Sequence, residues 1–252
     1  MRSDLLFISH GAPTIAIEED DFTHAVRDFG ATLDGTPAMI VVSAHWQSRD
    51  LRVNAAERPQ PIYDFGGFAP ELYTVRYDAP GSPSLAREVA SLTGATLEMQ
   101  RGWDHGVWVP FHHLRPQADI PIVELSLPLD GDRFAIGRAL APLRDRGVVI
   151  AASGGVVHNL HLLHFDDKFA PVDDWARNFD AFVANALEHH DFEALANYRT
   201  RGPHASLAVP TPEHFEPLLI LLGAATELDH VETIYAGFHY GNLSMRTIAL
   251  RE

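Results

Sequence analysis

An α/β fold, built as a single three-layer domain with a mixed, mostly parallel sheet flanked by helices, is what this sequence predicts. Three observations carry that expectation. Short runs apolar on both faces are bounded by turn residues. Helix-like periodic stretches alternate with them. No Ser/Gly linker, internal repeat or low-complexity segment divides the 252 residues. Strands apolar on both faces mark a parallel sheet covered by helices on each side. The length suits one large domain with a substantial core, so 1–252 is read as one unit.

Taken in order, the elements begin with the strand "DLLFI" (4–8), followed by "AMIVVS" (38–43) and "LRVNA" (51–55). A helix is expected over "SPSLAREVASLTG" (82–94), with Ser82 as its cap, Pro83 just inside and Gly94 closing it. The strand "IPIVELS" (120–126) precedes a helix over "DRFAIGRALAPLRDRG" (132–147), although Pro142 strains its continuation. After the strand "GVVIAAS" (147–153) come an amphipathic helix, "DDWARNFDAFVANALEHHD" (173–191), and one opened by Thr-Pro, "TPEHFEPLLILLGAA" (211–225). The last strands, "VETIYAGF" and "LSMRTIAL", form an antiparallel pair joined near "HYGN". Two long loops, 56–82 and 100–108, are rich in Gly, Pro, Asp and aromatics, and loops of that length in a compact domain tend to carry function.

Composition excludes several roles. The net charge is −15, only one lysine (Lys168) is present, and no Lys/Arg run occurs, which argues against nucleic acid and anionic membranes as partners. With no cysteine there are no disulfides, thiolate ligands or Cys nucleophile, as suits a reducing compartment. "MRSDLLFISHG" holds only four apolar residues in a row, too few for a signal-peptide core. The longest apolar stretch, "PLLILLGAA" (217–225), falls far below the roughly 20 residues of a membrane span. A cytoplasmic protein is expected. Neither a Gly-rich phosphate cradle nor a GxSxG elbow is present.

Histidine is the outlier, at 15 residues. His10 and His45 each lie two residues past an apolar run, and His158 lies five past another. Singly, His10 and His45 read as capping or core histidines, and His158, with His161 and His164 at i+3 and i+6, as part of a surface stripe. Three at one edge of a sheet, where open α/β folds bind ligands, favour a metal. His105, in "GWDHGVWVP", follows Asp104 inside an aromatic, glycine-bearing loop and suits an acid/base role, with a well-packed turn as the alternative. On the residues alone His214 is a solvent-facing first-turn residue, and His239 has no preferred role. His161 and His164 read as solvated, His189 and His190 as the exposed end of a helix, and His112 and His113 as the end of a short helix behind the His105 loop.

The motifs "SHGAP" (9–13), "SAHW" (43–46), "YDFGGFAPELY" (63–73), "APGSP" (79–83), "DHGVWVP" (104–110), "ASGGVVHNL" (152–160), "TPEHFEPLL" (211–219) and "GNLSMRT" (241–247) together resemble the DODA-type extradiol aromatic ring-opening dioxygenases of the LigB-like, class III superfamily. The match runs in order through essentially the whole chain. The resemblance implies a catalytic domain with one divalent metal, Fe(II) for activity; Zn(II), which outcompetes Fe(II) at nitrogen sites, would be an adventitious occupant. It implies that His10, His45 and His214 are ligands, that His158 is a ligand or the acid/base, and that His105 is a second acid/base candidate. Ring cleavage of a catechol (DOPA, caffeate or similar) with O2 would yield a muconic semialdehyde. Tyr63, Phe65, Phe68, Trp46, Trp103 and Trp108 are candidates for packing the ring. Ala12 and Asn242 stand where the family commonly has serine, which bears on substrate preference. Two other readings of a His-rich site remain at this point, a zinc hydrolase and a binding protein without activity.

Overall fold

In the computed structural model, which describes residues 2–252, the apolar runs become one eight-stranded sheet. Its strands are β1 (Leu5–Ser9), β2 (Met39–Ser48), β3 (Arg52–Asn54), β4 (Thr96–Glu98), β5 (Ile122–Pro128), β6 (Val149–Gly154), β7 (His230–Tyr235) and, after the small hairpin of β8 (Phe238–His239) and β9 (Leu243–Ser244), β10 (Thr247–Arg251). The order is β4-β3-β5-β2-β6-β1-β10-β7. The centre, β5-β2-β6-β1, is parallel. β10 runs antiparallel to β1 and β7 antiparallel to β10, so the C-terminal pair closes one edge as expected.

Alternation along each central strand builds two cores. Phe7, Ile40, Val42 and Ile150 face one side, and Leu6, Ile8, Met39, Val41 and Ala151 the other. The second layer is covered by α1 (Asp21–Ala31), which the sequence reading did not find, together with further helices. On the first side pack α2 (Pro83–Thr93), capped by the Ser82 hydroxyl and ended by Gly94 in the left-handed conformation. The helix α3 (His105–Leu114) lies with α1 on the second side. The first side also holds α4 (Arg133–Leu140), α5 (Asp174–Glu188), the short α6 (Phe192–Ala196), α7 (Tyr198–Arg201) and α8 (Ala205–Ala208), and α9 (Glu216–Gly223). At Pro142 the expected long helix changes to a 3-10 turn, Ala141–Arg146. Among the described residues, no helix is long and apolar enough to cross a membrane.

Two features of the backbone shape the C-terminal edge of the parallel strands. The strand β2 does not stop at Ser43. Its pairing with β5 jumps from Val42↔Leu125 to Gln47↔Leu127, so "SAHW" bulges out of the ladder and turns a side chain away from the sheet. At the end of β6, Gly154 lies so close to the turn Pro212–His214 that a Cβ there would sit 2.1 Å from the His214 carbonyl. That approach, with the Gly155 N–H donating to the same carbonyl at 2.9 Å, lays the His214 turn onto the sheet.

Candidate metal centre and active site

Five histidines meet above these strand ends. His10 directly follows β1, His45 lies in the β2 bulge, His105 is the first residue of α3, His158 follows β6, and His214 ends the 3-10 turn before α9. The ring of His10 has centroid distances of 4.8 Å to His45, 5.5 Å to His105, 6.1 Å to His158 and 5.2 Å to His214. His45 and His105 lie 3.8 Å apart, and His158 stacks on His214 at 3.5 Å and 8°. Ring nitrogens of His10, His158 and His214, and those of His10, His45 and His105, form two groups with every pair within 4.8 Å. His214 is buried, not solvent-facing.

Hydrogen bonds assign the free nitrogen of His10 and of His214. The Ser153 hydroxyl donates to the Gly106 carbonyl, so it accepts from His10 Nδ1–H at 3.2 Å, leaving His10 Nε2 as a lone pair 3.1 Å from His45 Nε2. Glu213 accepts from His214 Nδ1–H at 3.0 Å and from the Thr211 hydroxyl at 2.6 Å. Burial works to raise Glu213, but these bonds overcome it and hold the carboxylate at about 2. His214 Nε2 is then left buried without a partner. His158 is held through its backbone N–H, which donates to the Ala208 carbonyl at 2.9 Å.

His105 departs from the sequence reading, which placed it in a loop. It begins a helix, and the signal was masked by Pro110 inside that helix and by a cap supplied from elsewhere. Asp64 Oδ1 accepts both the His105 backbone N–H at 3.1 Å and its Nδ1–H at 2.9 Å. The adjacent Asp104 instead accepts from Ser43 at 2.6 Å and from Arg101 at 2.9 Å. Ser43 Oγ in turn accepts the His45 backbone N–H at 3.2 Å, which anchors the bulge. Beneath this network Glu124 is fully buried, and its carboxyl is pushed well above the usual range by burial and by Asp104.

Burial drives His10, His45, His158 and His214 toward the neutral form. His10 is held well below its ordinary value by burial and by the other four rings, and His158 by burial and by His214. His45 is lowered to about 3 by burial and His105. His214 is lowered by burial against the opposing pull of Glu213. A set of neutral nitrogen donors, with an orphaned and buried Nε2 among them, fits a borderline divalent ion such as Fe(II) or Zn(II).

The rings open into a cavity of about 310 Å³, whose walls are largely apolar: Ala12, Pro13, Phe65, Phe68, Leu160, Leu163, Phe165 and Leu243, with Asp64 beside the histidines. Of the six aromatic candidates, only Phe65 and Phe68 line it. Trp103 and Trp108 are buried in the core, with Tyr63 packed 5.6 Å from Trp108. Trp46 lies under the Arg101 guanidinium at 4.4 Å. Ala12 lines the cavity, while Asn242 acts at one remove, its amide donating to the Leu162 carbonyl at 2.7 Å. The stretch 160–165 forms the cavity's lip, and the lone lysine just beyond it ties it down, since Lys168 bonds Glu18 and, at 2.6 Å, Asp20. His239 is buried beside that pair, 3.4 Å from Asp20, outside the five-ring cluster. His161 and His164 are exposed, as read, and His113 is buried with Nε2 bonded to the Ile15 carbonyl at 2.7 Å.

Asp64, Ser153 and Ser43 were not singled out by sequence, and Glu213 only as a neighbour of His214. An acid flanked by aromatics in "YDFGGF" is the one local hint of Asp64.

Comparison with known proteins places this geometry. The family model for the catalytic LigB subunit of aromatic ring-opening dioxygenase matches residues 4–247. The chain is 38% identical to a 4,5-DOPA dioxygenase extradiol of Escherichia coli (strain K12), over 99% of this chain and 95% of that protein. It is 38% identical to one of Beta vulgaris, over 96% of this chain and 94% of that one. A crystal structure of an uncharacterized Escherichia coli K12 protein superposes with a TM-score of 0.84 at 34% identity, covering 99% of this chain and 100% of the other. With a model match spanning nearly its whole length and relatives above a third identical, the chain belongs to the LigB family of aromatic ring-opening dioxygenases.

Proposed function

We propose that this single domain is a metal-dependent extradiol dioxygenase that opens a catechol-type ring with O2 to give a muconic semialdehyde. The observation that carries the reading is the buried, unpartnered Nε2 of His214 facing a group whose free nitrogens are already set by Ser153 and Glu213. His10, His45 and His214 would hold the ion, with His158 alongside. Bound there, Fe(II) would supply an electrophilic centre for the catechol oxygens and dioxygen.

The remaining steps belong to the chain. Phe65 and Phe68 pack the substrate ring against the histidines, and the apolar walls exclude water. His105, with Nδ1 engaged by Asp64, takes a hydroxyl proton at Nε2, and Asp64 stabilises the imidazolium so formed. The His105 imidazolium returns that proton as the ring opens, with His158, stacked on His214, lining the same cavity. Both oxygen atoms end in the product: one carbon–carbon bond beside the diol breaks, and one carbon becomes an aldehyde and the other a carboxylate. No external reductant is consumed.

The test is anaerobic reconstitution with Fe(II), then a catechol panel and air. Yellow product with one O2 consumed per catechol is expected. Zn(II) fills the same nitrogens without supporting turnover. Product without oxygen uptake, or silence with every catechol, overturns the proposal. His45→Ala should lose both metal and turnover.

A further inference from the structure

We infer that the substrate of this site is an uncharged catechol carrying an apolar substituent, which lies against Leu160, Leu163 and Phe165. The inference rests on the ring-cleavage reading and names the substrate class within it.

The cavity supplies the reasons. Apart from the histidines, the only ionisable lining residue among the described residues is Asp64, and that carboxylate already accepts two bonds from His105. Among the described residues no Lys or Arg lines it. Lys168, which follows the lip segment, is committed to Glu18 and Asp20. A substrate carboxylate held against these apolar walls would leave water without a partner. It would also approach a chain of net charge −15. Apolar surface continues out of the cavity: Leu160 is 51% exposed and Phe165 64%. Exposed groups that also line a cavity gain burial only when a ligand covers them, and an alkyl or aryl substituent does so. The lip is held in place to receive it, by the Asn242 amide on the Leu162 carbonyl and by the His164 N–H, which donates to the Tyr240 carbonyl at 3.0 Å.

The experiment compares kcat/KM of the Fe(II)-loaded full chain for 4-methylcatechol, 4-butylcatechol, hydrocaffeate and DOPA. Each methylene moved onto an apolar wall is worth up to about fourfold, so the partly open lip should favour butyl over methyl by roughly tenfold or more. Butyl should exceed hydrocaffeate, of similar length but ending in a carboxylate, by at least about 30-fold. Phe165→Lys, at an exposed position the core does not need, should shrink the butyl-to-hydrocaffeate ratio at least about tenfold. Hydrocaffeate or DOPA turned over as well as 4-butylcatechol, or a ratio unmoved by Phe165→Lys, overturns the inference and leaves ring cleavage standing. Silence toward all four instead sinks ring cleavage. In that case anaerobic binding by tryptophan fluorescence decides the substrate class: 4-butylcatechol binding more tightly than hydrocaffeate upholds the apolar wall, and the reverse order overturns it.

Discussion

Asp64 offers the sharpest test of how the histidines divide their work. It accepts the backbone N–H and the ring Nδ1–H of His105, while its other oxygen stays 4.0 Å from His45 Nδ1. Burial works to raise its pKa, but the bonds from His105 lower it on balance, so the group is a carboxylate at neutral pH. Asp64→Asn keeps the shape and one acceptor and removes the charge. A hydrogen bond to a charged partner is worth about 1.5–3 kcal/mol. The side chain is 27% exposed, which places the loss near the lower end, about 1.5–2 kcal/mol. At 1.36 kcal/mol per tenfold, kcat/KM should fall roughly 10- to 30-fold. Oxygen uptake by the Fe(II)-loaded variant measures this, beside its iron content by chelation. Iron should stay near the parent level. Full activity would refute the proton-handling role, and activity lost in step with iron would make Asp64 a metal-holding residue acting through His45.

The other variants separate metal retention, pH response and the lip. Glu213→Gln removes the charge that orients His214, and such partners are worth about 10- to 100-fold in metal affinity. Chelator competition should show that loss, with kcat near normal at saturating Fe(II), and unchanged affinity would contradict the role. His239 is held down to about 4 by burial and by Lys168. The native state refuses a proton that the unfolded chain takes near 6.5, so stability is full above pH 6.5 and falls as pH drops toward 4. At pH 5 the deficit is about 2 kcal/mol. His239→Gln should flatten the denaturation curve between pH 7 and 5 by that amount, and parallel curves would show His239 does not titrate this way. Lys168→Met unties the lip from Glu18 and Asp20. The expected result is a KM for catechols raised severalfold with kcat little changed, and an unmoved KM would mean the lip needs no tie.

Every central strand was legible because parallel strands, covered on both faces, leave uninterrupted apolar runs such as "LLFI" and "VVIAA". Helix boundaries were legible where the chain writes its own caps, as Ser82 and Gly94 do for α2. They failed where the cap or the pattern comes from tertiary structure. The apolar stripe of α1, with Phe22, Val26 and Phe29 buried, went unread beside a polar entry. The start of α3 carries its cap on Asp64, 41 residues upstream. The three residues of β4 were too few to show a period.

The site divides along the same line. His10, His45 and His158 leave strand ends, and a strand end is something a sequence displays, so their convergence followed from topology. His214 displays nothing of the kind. Its place depends on Gly154 admitting a carbonyl where any Cβ would collide, a contact between residues 60 positions apart that no local pattern records. The residues that fix the tautomers are further still from local reading. Ser153 reaches His10 across 143 positions of chain, and its own proton is spent on Gly106. In His10 and His214 the Nε2 lone pair is free for a metal because such bonds occupy Nδ1. A list of histidines therefore says where an ion could sit, and only the folded chain says which lone pairs would face it.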